Sequence, residues 1–125
     1  MAVPPGPLGP GFGPAVGLAL AARMTRSRYG RDGGGPGHHR VYVVASDGDV
    51  MEGVSHEAAS LAGHLRLGRL IVLFDDNRIS IDGPTALTVS DDQLARFDQL
   101  VPRYAPRIVV YYCGSNDLKA KDADE

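Results

Sequence analysis

The sequence predicts an α/β fold built on a short parallel sheet with flanking helices. Three observations lead there. Val41-Tyr42-Val43-Val44-Ala45 and Leu70-Ile71-Val72-Leu73-Phe74 are apolar runs without polar alternation, the pattern of strands covered on both faces. Residues 52–65, between them, read as a helix. Strand, helix and strand in this order form a βαβ unit, with a right-handed crossover.

The elements follow in order. Residues 1–13 are a Pro/Gly loop, and Pro14 suits the first turn of a helix, where its missing N–H costs nothing. Ala15, Val16, Leu18, Ala19, Leu20, Ala22 and Met24 make that helix continuously apolar. Burial on most of its sides is expected, with a partner as one source of cover. Arg23, Arg26 and Arg28 complement its dipole and read as a solvated end. Residues 30–40 are a Gly-rich loop, and Ser46-Asp47-Gly48-Asp49 is a turn after the first strand. Residues 78–88 are loop, with Asp82-Gly83-Pro84 as a turn. Ser90-Asp91-Asp92 is an N-cap signal for a short helix through Leu100, which Pro102 and Pro106 end. Ile108-Val109-Val110-Tyr111-Tyr112 is a third strand, Gly114-Ser115-Asn116-Asp117 its turn, and residues 118–125 a charged tail.

Composition narrows the classes. The 125 residues carry 13 Lys and Arg against 15 Asp and Glu, a net charge of −2. That size suits one domain at most, and that charge makes a poor non-specific binder of nucleic acid or anionic membrane. Hydrophobic residues at 43% are too many for wholesale disorder. Cys113 is the single cysteine, so there is no disulfide framework and no cysteine-based zinc site. The opening lacks a basic start, and Pro4, Pro5, Pro7, Pro10 and Pro14 interrupt it, so it does not read as a leader or a membrane span. A soluble, cytoplasmic protein is expected.

The candidate chemistry sits at two strand ends. Asp47 follows the first strand and Asn77 the second. In a parallel βαβ unit both lie at the carboxyl edge of the sheet, where ligands of open α/β folds bind. A carboxylate and a carboxamide are hard oxygen donors suited to Mg²⁺ with phosphates and water. Gly48 lets a diphosphate approach the backbone, and the helix after it offers N–H groups to an anion. Spacing alone leaves the plainer roles open, with Asp47 a helix cap and Asn77 a turn residue.

Three motifs in order sharpen this. Ser46-Asp47-Gly48-Asp49-Val50-Met51-Glu52-Gly53-Val54-Ser55-His56-Glu57, continuing to Leu65, resembles the thiamine-diphosphate segment of transketolases. So does the stretch from Leu70 through Asp75-Asp76-Asn77-Arg78-Ile79-Ser80-Ile81-Asp82-Gly83. Gly6-Pro7-Leu8-Gly9-Pro10-Gly11 resembles the Gly-Pro-Leu-Gly-Gln-Gly loop of that family. The resemblance covers about residues 6–97 and implies a fragment of a thiamine-diphosphate-binding fold. It implies Mg²⁺ held by Asp47, the amide oxygen of Asn77 and the carbonyl of Ile79. It places Gly48 and Asn77 at the diphosphate, Gly6 and Leu8 at the cofactor's ring end, and Glu52 near a dimer contact. It also implies ketol transfer between sugar phosphates, by a homodimer in which a pyrimidine-binding domain of another subunit completes the site. No residue of this chain is assigned a catalytic role, and the chain alone is expected to be without turnover. The alternatives are a non-catalytic Mg²⁺-diphosphate or subunit-docking fragment, or an esterase remnant. Ser46 replaces a usual Gly, which implies a tight turn and weaker cofactor binding, and Pro10 replaces a usual Gln.

Residues 98–125 are expected to be a separate, non-native tail. Residues 106–118 resemble the Gly-x-Asn-Asp block of GDSL/SGNH hydrolases, which implies Asn116 as an oxyanion donor. No serine nucleophile block or C-terminal Asp-x-x-His accompanies it. His38 and His39 lie on a Gly-rich loop. His56 and His64 are eight apart on a helix, two turns distant, and read as packing or hydrogen-bonding groups.

Overall fold

The computed structural model describes residues 6–32, 34–81 and 83–88, and the backbone of 109–113. The chain runs α1 (Phe12–Tyr29), β1 (Val41–Ser46), α2 (Asp47–Val50), α3 (Gly53–His64) and β2 (Leu70–Asp76). It continues through β3 (Ile79–Ser80), β4 (Gly83–Pro84), a 3₁₀ turn (Thr85–Leu87) and β5 (Val109–Cys113). The sheet has the order β1-β2-β5 and is parallel throughout. The α/β class with a short parallel sheet is therefore observed. The third run of branched residues joins the same sheet, shifted by one residue from the expected 108–112. The expected helix at 90–100 and Asn116 lie outside the described residues.

The register explains where the core sits. Val41 pairs with Leu70, Val43 with Val72 and Ala45 with Phe74. Side chains alternate faces along a strand, so these residues share one face, and α1 and α3 pack over it. Phe12, Ala15, Val16 and Ala19 of α1 and Ala59 and Ala62 of α3 meet Val43, Ala45, Leu70, Val72 and Phe74 in one cluster. The small residues of both helices let the backbones approach the sheet closely.

Four expectations need correction. The buried residues of α1 are Phe12, Ala15, Val16, Ala19 and Ala22, one helical stripe rather than most of its surface. Met24 stays exposed. β1 is covered on one face only: Tyr42 is 61% and Val44 70% exposed. It is an edge strand, and no described layer lies on that side. Central β2 is better covered, with Ile71 buried and Leu73 half-buried. The turn at 46–49 is instead the entry into helix α2. The loop at 78–88 contains an antiparallel pair, Ile79 with Pro84 and Ser80 with Gly83. Gly83 holds φ +130°, which gives that reversal a backbone few other residues adopt.

Helix α3 forms as expected, with Glu52 as N-cap and Leu65 as C-cap. It ends on Arg66 at φ 52°, whose N–H donates to the Gly63 carbonyl at 2.9 Å, while Leu67 N–H donates to Ala62 at 3.1 Å. That closing pair satisfies carbonyls the helix would leave open. No helix among the described residues is long and apolar enough to cross a membrane.

Candidate metal and diphosphate site

Ser46 and Asp75 are register partners at the carboxyl ends of β1 and β2. Asp47 is one residue beyond this pair and Asn77 two, so the parallel register brings both to one edge. Asp47 has no exposed surface. Its Oδ1 accepts the Gly48 N–H at 2.9 Å, and its Oδ2 accepts the Thr85 hydroxyl at 3.3 Å. The backbone N–H of Arg78 also donates to this carboxylate. Arg78 sits between Asn77 and Ile79, so this bond ties Asp47 to the turn that carries them. The same turn is closed by the Thr85 N–H on the Arg78 carbonyl at 3.1 Å.

Burial raises the Asp47 carboxyl above its ordinary value of 3.8, and the nearby Asp76 charge adds to the rise. The donors from Gly48, Thr85 and Arg78 oppose it. Among the described residues, none of the groups acting on this carboxylate is a cation.

Asn77 is oriented from two sides. Its Nδ2 donates to Asp75 Oδ2 at 3.1 Å, and its Oδ1 accepts the Ile79 N–H at 3.0 Å. A carboxylate only accepts, so Asp75 fixes which end of the amide is oxygen. The other Asp75 oxygen, Oδ1, is buried with no hydrogen-bond partner among the described residues. Arg78 holds φ 57°, a left-handed conformation unusual for a side chain of its size.

The glycine loop reaches the same edge through Asp49. Asp49 Oδ1 accepts the Gly9 N–H at 2.8 Å, and its Oδ2 accepts the Ser46 N–H at 3.0 Å and the Ser46 hydroxyl at 2.9 Å. Ser46 Oγ in turn accepts the Asp49 N–H at 3.2 Å, which completes a capping box. The fully buried Ser55 hydroxyl donates to the Asp49 carbonyl at 2.7 Å. Gly9 has φ +85°, and a Cβ there would lie 2.6 Å from Glu52 Cβ, so only glycine fits. Leu8 is carried over Gly48: a Cβ on Gly48 would meet Leu8 Cδ1 and Ser80 Cβ, each at 3.4 Å. Gly6 is exposed at the margin, with nothing among the described residues within 4 Å of its Cβ position.

Ser46 corrects the expectation of a turn too tight for a side chain. Its φ of −90° and ψ of 169° are ordinary extended backbone, and its hydroxyl is used in the cap. Sequence reasoning passed over Asp49, although Ser46-Asp47-Gly48-Asp49 carries the Ser-x-x-Asp signal of a capped helix. It also passed over Thr85, which nothing local marks, since it lies 38 residues from the carboxylate it binds. Among the described residues no group of three or more His, Cys, Asp and Glu is placed to hold a metal ion. His56 and His64 lie on α3.

Comparison with known proteins places the chain in a family. Residues 1–119 match the family described as transketolase, thiamine diphosphate binding domain. That match takes in the segment resembling a hydrolase block, and the hydrolase likeness finds no support. The transketolase of Cereibacter sphaeroides is 58% identical over 92 residues, which are 74% of this chain and 14% of that protein. The transketolase of Aquifex aeolicus is 53% identical over 95 residues, 76% of this chain and 14% of that protein. Among solved structures, transketolase from Campylobacter jejuni aligns with a TM-score of 0.65 at 40% identity, over 76% of this chain and 15% of that one. Transketolase from Leishmania mexicana aligns with a TM-score of 0.69 at 36% identity, over 85% and 20% respectively. The chain thus spans about one seventh of the length of the curated relatives it matches. With this coverage of its own sequence, the chain belongs to the transketolase family through its thiamine diphosphate binding domain.

Proposed function

We propose that this chain holds Mg²⁺ and the diphosphate of thiamine diphosphate within a transketolase that moves a two-carbon ketol unit between sugar phosphates. The observation that supports this most is the fully buried Asp47 carboxylate, linked through the Arg78 N–H to the turn bearing Asn77 and Ile79. The donor set fits a hard cation. Asp47 offers a carboxylate, Asn77 an amide oxygen and Ile79 a backbone carbonyl, and Mg²⁺ takes few protein oxygens together with phosphate and water. Burial disfavours the charge of Asp47, Asp76 beside it adds like charge, and among the described residues no cation acts on it. A divalent ion would relieve both penalties.

When bound, thiamine diphosphate supplies a carbon nucleophile that takes up the ketol unit. The chain's residues hold and orient it. Asp47, Asn77 and Ile79 anchor the cation, while Gly48, at the start of α2 beneath Leu8, lies against the diphosphate. Gly6 and Leu8 present the glycine loop to the ring end, and Asp49 fixes that loop relative to α2. Glu52 belongs to a contact with a second subunit, whose pyrimidine-binding domain completes the site. The cytoplasm is the proposed location.

Calorimetric titration of the chain with thiamine diphosphate and Mg²⁺ tests the reading. Binding heat is expected for the native chain and is lost in Asn77→Ala. Silence at millimolar ligand removes the proposal. Ketol transfer by the isolated chain is expected to be undetectable.

A further inference from the structure

The opposite end of the sheet carries the opposite charge. Arg40 immediately precedes β1 and Arg69 immediately precedes β2. The Val41 N–H donates to the Arg69 carbonyl at 2.9 Å and holds the two strand starts together. A cavity of about 800 Å³ opens there. Arg23 and Arg26 of α1 line it, with Arg40, Arg66 and Arg69 from the loops. Among the described residues no Asp or Glu does. Its floor is apolar, since Ala22 and Leu67 are buried and line it.

Five guanidinium groups around one cavity repel each other, in a chain whose net charge is −2. A multiply charged anion turns that repulsion into attraction. Arg23 Nη1 donates to the Leu65 carbonyl and Arg69 Nη1 to the His38 carbonyl, which anchors both side chains. Each guanidinium has five N–H donors, so one such bond leaves donors for a ligand. Guanidinium matches phosphate in a two-bond fork.

We infer that this cavity is a second, metal-independent site for a phosphorylated small molecule with an apolar or aromatic body of nucleotide size. The arginine rim takes the phosphates and the apolar floor takes the body. The volume falls within the range of about 300–1,000 Å³ usual for small-molecule pockets. A six- or seven-residue strand spans about 20 Å, so the site is remote from Asp47 and independent of the cofactor reading there.

The test is calorimetric titration of the full chain with ADP in EDTA at low ionic strength. Arg66→Gly suits the left-handed backbone at that position, so the double variant Arg40→Gln/Arg66→Gly removes two charges at little cost to the fold, and thermal melting checks that it stays folded. The native chain is expected to bind ADP, and the double variant to bind at least about tenfold more weakly. Asn77→Ala is expected to bind as the native chain does, and inorganic pyrophosphate more weakly than ADP. Silence at millimolar ADP, equal binding by the double variant, loss of binding in Asn77→Ala, or pyrophosphate binding as tightly as ADP would each overturn the inference.

Discussion

Asp47 sets the chemistry of its edge because its surroundings disfavour its charge. Burial, then Asp76, raises its carboxyl above 3.8. The folded chain therefore holds a proton more tightly than the unfolded chain between 3.8 and the raised value. With no metal bound, this group makes stability fall as pH rises through that window. In EDTA, Asp47→Asn is expected to lack that slope, and denaturant unfolding across the acid range measures it. Gly9 is the second residue on which the site depends. Gly9→Ala would force a side chain into the left-handed region and against Glu52 Cβ. A loss of about 2–4 kcal/mol is expected, read from urea unfolding.

At the scale of the element, α2 is too short to be stable by propensity. Its ends are held by side chains. Asp49 accepts from Gly9, from the Ser46 backbone and from the Ser46 hydroxyl, so one carboxylate joins loop, strand end and helix. Asp49→Ala is expected to cost about 2–3 kcal/mol in urea unfolding and to weaken thiamine diphosphate binding in calorimetry. Ser46→Gly is expected to cost only a few tenths of a kcal/mol, because glycine is tolerated at an N-cap. The same element shows where sequence reading stops. Ser-x-x-Asp marks a cap, but nothing near it says that Gly9, 40 residues away, completes the network.

The whole molecule is asymmetric in two ways. Acidic groups gather where β1 and β2 end, and arginines where they begin, so the two edges suit opposite ligands. The two faces of the sheet differ as well. α1 and α3 cover one, while Tyr42 and Val44 stand exposed on the other side of edge strand β1. Open edges and apolar faces promote association. Tyr42→Thr/Val44→Thr is expected to reduce self-association of the isolated chain, measured by analytical ultracentrifugation, without changing the far-ultraviolet circular dichroism.

The apolar runs at 41–45 and 70–74 and the intervening helical stretch were enough to read the α/β class and to place Asp47 and Asn77 at one edge of the sheet. These depend on local pattern and on the two-residue and 3.6-residue periods of strand and helix. The tertiary structure decided the rest. It placed Thr85 and the Arg78 N–H on Asp47, set Asp75 to orient Asn77, moved Leu8 over Gly48, and left one face of β1 bare. The contacts of Asp47 with Thr85 and Arg78, and of Leu8 with Gly48, join segments far apart in sequence. Chain folding and sheet order select them, and no local spacing encodes which distant donor meets a given carboxylate.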